Sequence, residues 1–298
     1  MAAITRVLCP IDFSDCSRRA LDHAIAIGRW FGADIDVLHV TPEALMTGRA
    51  EMQMRLEVLR TEAHADAIEQ TKRFVEAAGA SDLKIHVSVE RGDPAAVIAV
   101  GAPSSAAGLV VMGTHGRSGF ERLLLGSVTE RVLRRVRCPL LTVPPHAAEA
   151  PARTMFTRVL CPVDFSDSSA LALEYASSLV EVTGGSLIVL HAIEEFADEP
   201  LAYRRFAAPE YRRQLEDEAR DLLRAALATK ARSARAPEEI VVAGKASSEV
   251  LRVAAERSVD AIVMGIRGRN VVDRLLLGST TDHVVRAASC PVLTIRQG

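Results

Sequence analysis

The residues best placed to do chemistry are glycines. Gly113 ends a short apolar run, Gly116 follows three positions on, and Gly126-Ser127 comes after nine more residues. Gly265, Gly268 and Gly278-Ser279 repeat the spacing. Glycine adopts positive φ and lets a backbone approach a ligand closely. Gly126-Ser127 is predicted to open a helix, whose first amides have no acceptor within it and whose dipole is positive at that end. Phosphate oxygens suit such amides. Ser127 with Glu130 has the spacing of a capping box, nearly repeated by Ser279 and Asp282, so the serine hydroxyl can cap the helix or meet a phosphate. Arg117 and Arg269, inside the loops, would add positive charge.

Two aspartates form the second candidate set. Asp12 in PIDFSD and Asp164 in PVDFSD follow directly on the first apolar run of each half. A carboxylate there can accept hydrogen bonds from ribose hydroxyls or a base amino group; the competing role is that of a turn residue. Asp15 or Ser17 is the expected helix cap, which leaves Asp12 for a ligand. His39 and His191, closing the next run, are read as hydrogen-bonded structural histidines. No zinc-ligand spacing, G-x-S-x-G elbow, Walker loop or G-x-G-x-x-G fingerprint occurs. A fast nucleotide triphosphatase is therefore not expected.

These residues recur because the chain is duplicated. TRVLCPIDFSDC at residues 5–16 returns as TRVLCPVDFSDS at 157–168, and MGTHGRSGFERLLLGS at 112–127 returns as MGIRGRNVVDRLLLGS at 264–279, both 152 residues on. A period this long is a repeated domain, since solenoid units run about 20–50 residues. The domains are expected at 1–146 and 155–298, with a Pro- and Ala-rich bridge from Pro144 to Thr154. In the first copy, strands are predicted at Thr5–Cys9, Asp34–Val40, Leu83–Val89, Gly108–Met112 and Leu140–Val143. Helices are predicted at Ser17–Phe31, Ala50–Ala78, Pro94–Val100 and Val128–Val136. Gly185–Ala192 and Ala261–Met264 are strands of the second copy. Apolar strands alternating with helices make an α/β fold, with a doubly wound parallel sheet in each of two tandem domains.

Composition narrows the function classes. A net charge of −2 and 4% aromatic residues argue against nucleic acid or an anionic membrane as partner. Five cysteines without framework spacing fit buried thiols in a reducing cytoplasm. A signal peptide is not expected, and no uncharged run reaches the ~18 residues of a spanning helix.

The pattern G-x-x-G-x9-G-[ST], with RVLCP[IV]DFSD before it and C-P-[VL]-L-T-[VI] after, resembles the universal stress protein family over the whole chain. The resemblance implies five parallel strands in the order 3-2-1-4-5. It also implies ATP binding, with Mg²⁺ carried on the phosphates. Asp12 and Asp164 would then contact adenosine, and Val40 and Ala192 would offer backbone groups to adenine. Gly113, Gly116, Gly126 and Ser127, with Gly265, Gly268, Gly278 and Ser279, would hold ribose and phosphates. Val40 is matched by Ala192, which implies a looser second pocket. The expected protein is a cytoplasmic, nucleotide-dependent stress or regulatory protein and not an enzyme. The alternatives are a slow ATPase or phosphotransfer protein using the same pocket, and an interaction module without nucleotide. Strand five is the natural sheet edge, so the two copies are expected to pair there, and whole chains to form a homodimer through another surface.

Overall fold

A computed structural model of the protein describes residues 4–42, 50–116, 125–147, 156–194, 209–230, 236–266 and 277–296. The chain divides into two compact units. In the first, the apolar runs form β1 (Arg6–Ile11), β2 (Asp34–Thr41), β3 (Ile85–Arg91), β4 (Leu109–Gly113) and β5 (Leu140–Val143). Between them lie α1 (Asp15–Phe31), α2 (Ala50–Glu76), α3 (Pro94–Ser104) and α4 (Ser127–Arg135). Every neighbouring pair is parallel, in the order β3-β2-β1-β4-β5. The second unit repeats this with β6 (Arg158–Pro162), β7 (Ser186–Ile193), β8 (Glu238–Ala243), β9 (Ala261–Gly265) and β10 (Val292–Ile295). Its helices are α5 (Asp167–Thr183), α6 (Pro209–Lys230), α7 (Ala246–Glu256) and α8 (Ser279–Ala287), and its strand order is β8-β7-β6-β9-β10. Each unit is a doubly wound α/β domain with the order 3-2-1-4-5.

The cores follow from strands covered on both faces. Val7, Leu8 and Cys9 of β1, and all of β4, are buried. Helix α1 turns Ala20, Leu21, Ala24, Ile25 and Gly28 onto the sheet, at the spacing of one helical face. It stops at Gly32, which takes the left-handed conformation (φ 65°), as Gly184 does after α5 (φ 68°).

The start of α1 differs from expectation. The cap is Ser14, not Asp15 or Ser17: its Oγ accepts from the Ser17 amide at 3.1 Å. Ser166 caps α5 in the same way at 3.2 Å. Phe13 (φ 65°) and Phe165 (φ 62°) explain the choice, because a left-handed residue directly after the aspartate reverses the chain and brings the following serine to the cap. Helix α3 also runs past the expected end at Val100, as far as Ser104, with Pro103 in its last turn.

All five cysteines are free thiols. Burial pushes the Cys9 and Cys161 thiols far up, and raises Cys138 to about 11 and Cys290 to about 12. Unfolded thiols ionise near ~8.5. Above that pH the unfolded chain has lost protons that the folded chain keeps, so folding stability falls as pH rises toward the folded values. Denaturant midpoints should therefore be lower at pH 10 than at pH 8, and the difference should shrink in Cys138→Ala/Cys290→Ala.

Candidate functional site

Strands β1 and β4 lie side by side at the centre of the first sheet, and the chain leaves them toward opposite sides. Open α/β sheets bind ligands at the carboxyl ends of such a strand pair. A cavity of about 300 Å³ opens there. One wall is an apolar slot formed by Ile11, Leu38, Val40, Ile98 and Met112. The other is polar, with Asp12, Gly116 and the first turn of α4 from Gly126 to Thr129. The volume is at the lower end of the ~300–1,000 Å³ range typical of small-molecule sites.

Asp12 is held in place by the turn it begins. Its Oδ1 accepts from the Ser14 amide at 3.1 Å and from Ser14 Oγ at 2.6 Å. The Asp164–Ser166 contacts have the same lengths, 3.1 and 2.6 Å. The aspartate is thus a turn residue, as its type allows, and its carboxylate also lines the cavity. Gly116 lies against it: a Cβ there would stand 2.7 Å from Asp12 Oδ2. His39 and His191 are structural. Their Nδ1 atoms pair with the carbonyls of Ile11 at 3.0 Å and Val163 at 2.8 Å, and their rings pack 4.4 Å from Phe13 and Phe165.

The glycines divide by role. Gly113 and Gly265 are not left-handed; they are small because a helix presses on them. A Cβ on Gly113 would lie 2.7 Å from Cys16 Sγ, and one on Gly265 would lie 2.5 Å from Ser168 Oγ. Gly126 also has ordinary φ (−56°) and is itself the cap of α4. Its amide donates to Thr114 O at 2.7 Å, and a Cβ on it would meet that same oxygen at 3.1 Å.

The capping box does not form. Ser127 and Ser279 are the first helical residues behind Gly126 and Gly278, and no side chain caps either helix. Glu130 pairs instead with Arg134, and Asp282 with Arg286, each at 2.9 Å. Ser127 is exposed beside the cavity, so its hydroxyl is not spent on the helix. Val40 and Ala192 lie near the ends of β2 and β7, as expected. Arg117, Gly268 and Arg269 fall outside the described residues.

Two contacts escaped the sequence reading. Thr129 Oγ1 donates to Gly113 O at 2.8 Å, and Thr281 Oγ1 donates to Gly265 O at 2.9 Å. Each buried hydroxyl pins the start of a helix to the end of the central strand. The only available signal was the threonine fourth in GSVT and in GSTT. In the first unit Arg131 Nη1 also meets Asp93 Oδ2 at 2.6 Å, joining α4 to the cap of α3. Lys245 and His283 occupy these places in the second unit, where no such pair of opposite charges can form.

The sequence profile of the universal stress protein family matches residues 3–144 and again 155–296. The chain belongs to the universal stress protein family. A universal stress protein of Methanocaldococcus jannaschii is 38% identical over 141 residues, 46% of this chain and 81% of that one. One from Mycobacterium tuberculosis is 25% identical over 308 residues, 97% of this chain and 94% of that one. The crystal structure of a universal stress protein from Archaeoglobus fulgidus matches with 26% identity and a TM-score of 0.68, over 99% of both chains. Among the described residues, no helix is long and apolar enough to cross a membrane, and no group of three His, Cys, Asp or Glu could hold a metal ion.

The threonine pin has a measurable consequence. Thr129→Val keeps the shape and removes the hydroxyl, leaving a buried carbonyl short of a donor. Denaturant unfolding should show a loss of about 1–3 kcal/mol. Unchanged stability would mean that the α4 start is held by other contacts.

Proposed function

We propose that the first unit binds ATP in this cavity and that the protein acts as a nucleotide-dependent stress or regulatory protein rather than an enzyme. The observation behind this reading is the join of an apolar slot, a positioned carboxylate and an open helix start around one cavity at the β1/β4 strand ends. The slot suits adenine. Asp12, turned by Ser14, presents acceptor oxygens suited to ribose hydroxyls. The first amides of α4 and the Ser127 hydroxyl suit phosphate oxygens, because those amides have no acceptor within the helix. Mg²⁺ would enter with the phosphates.

The same residues favour binding over catalysis. Asp12 is fixed by two hydrogen bonds from Ser14, which fits an acceptor of hydroxyls better than a proton-abstracting base. The second unit has the same backbone devices in Asp164, Gly278, Ser279 and Thr281, but Ala192 replaces Val40. We read it as a weaker nucleotide site. Five free thiols fit a reducing cytoplasm, which is the location we propose.

Calorimetric titration of the full chain with MgATP should resolve binding at up to two unequal sites, with preference over MgGTP. Ser127→Ala should weaken ATP binding by about 1 kcal/mol, roughly fivefold, without changing the melting temperature, because the hydroxyl does not cap α4. A folded chain that takes up no ATP at millimolar nucleotide would exclude the proposal. A fall in melting temperature without loss of affinity would assign Ser127 to the helix instead.

A further inference from the structure

A second groove, of about 670 Å³, lies under α3 in the first unit. Its floor is the sheet. Leu8, Asp36 and His86 stand in one row across β1, β2 and β3, and Leu38 and Ser88 belong to the next. Val97, Val100 and Gly101 of α3 close it from above, and Glu90 lies toward the strand ends. Leu38 also lines the first cavity, so α3 separates the two.

Three choices here are locally unfavourable. Gly101 sits inside a helix, where glycine is a poor residue. Packing does not require it, since a Cβ would stand 3.8 Å from Leu38 and 3.9 Å from Leu8, at ordinary contact distance. Asp36 is only 9% exposed, yet its Oδ2 accepts no hydrogen bond from any described residue. Arg6 Nη1 is 3.7 Å from that oxygen, beyond hydrogen-bond reach, and Arg6 also reaches toward Asp34 at 3.8 Å. A buried carboxylate so weakly satisfied is costly. Finally, Val100 is 67% exposed at the rim.

The second unit avoids all three. At the equivalent places it carries Ile188 for Asp36, Ile240 for Ser88, Glu90 is replaced by Val242, and Val253 stands for Gly101. Arg252 takes the place of Val100. The fold therefore does not need a buried acid on the sheet or a glycine in the helix above it, and one copy keeps both against local stability. Departures from local preference of this kind belong to functional sites.

We propose that this groove binds a small amphipathic amine, with its ammonium on Asp36 and its apolar body between α3 and Leu8 and Leu38. An ammonium supplies the donors that Asp36 lacks, and Glu90 adds attraction of the same sign. A carboxylate ligand of equal size would meet two acids. Gly101 makes the room, and Val97 with Val100 covers the apolar part. The site is independent of the nucleotide reading.

The test uses the full chain and three probes of one length: hexylamine, hexanol and hexanoate. Saturation-transfer NMR and melting temperature should show hexylamine binding more tightly than hexanol, and hexanoate not binding. Gly101→Val, which installs the second unit's residue, should raise the melting temperature of the free protein and weaken hexylamine at least tenfold. Asp36→Asn should weaken hexylamine to the level of hexanol, and gives an independent reading of the charge. Equal binding of hexanoate, or hexylamine binding undiminished in both variants, would overturn the proposal. So would binding of a lysine-bearing peptide without any of hexylamine, which would assign the groove to a protein partner.

Discussion

The end of β4 lies so close to the start of α1 that position 113 tolerates only a hydrogen as side chain. A Cβ would stand 3.0 Å from the Cys16 carbonyl oxygen as well as against its sulfur. Cys16 Sγ in turn donates to Val143 O at 3.5 Å, so α1, β4 and β5 meet at one point. Asp12 leaves β1 beside this junction and α4 is pinned to it through Thr129. The distance between the carboxylate and the helix start is thus a result of close packing, and the cavity is the space that the packing leaves. The second unit reaches the same geometry with Ser168 in place of the thiol, at 2.5 Å from the equivalent Cβ position.

Duplication separates what the backbone demands from what a site adds. Both copies keep the turn phenylalanine, the aspartate–serine pair, the pressed glycine and the threonine pin, and these are the parts that set strand and helix ends. They differ where side chains face open space. Asp93 and Arg131 tie α3 to α4 in one copy only. Asp36, Ser88, Glu90 and Gly101 line the groove under α3 in one copy, where the other has Ile188, Ile240, Val242 and Val253, with Glu238 and Glu249 in place of His86 and Val97. Two domains with one architecture therefore offer unlike surfaces for binding.

Much of this was legible in the residues. Strand and helix alternation shows as short Val/Ile/Leu runs between longer polar-apolar segments, and β5 (Leu140–Val143) falls where expected. The glycine spacing marked the site because two copies retained it. Roles within the site were less legible. Asp15 and Ser17 were the expected caps, and only the left-handed Phe13 shows that Ser14 reaches the helix start instead. Spacing alone cannot tell a glycine that makes room for a helix from one that makes room for a ligand; Gly113 is the first kind and Gly116 faces Asp12. A threonine in a helix looks ordinary, so the Thr129 pin was invisible until its acceptor, 16 residues earlier, came into view. The groove was hidden for a similar reason, since Asp36 and His86 become neighbours only through strand register.

The double anchorage of the glycine loop also bears on how such a protein can diverge. Gly126 N on Thr114 O, and Thr129 Oγ1 on Gly113 O, clamp both ends of the stretch between β4 and α4. The clamp uses three backbone groups and one buried hydroxyl, all contributed from outside residues 117–124. RSGFERLL at 117–124 can therefore become RNVVDRLL at 269–276 while the corresponding anchors, Gly278 N on Ile266 O and Thr281 on Gly265, persist. The anchorage thus tolerates four substitutions among those eight positions, which makes it a property of the frame rather than of the sequence it brackets.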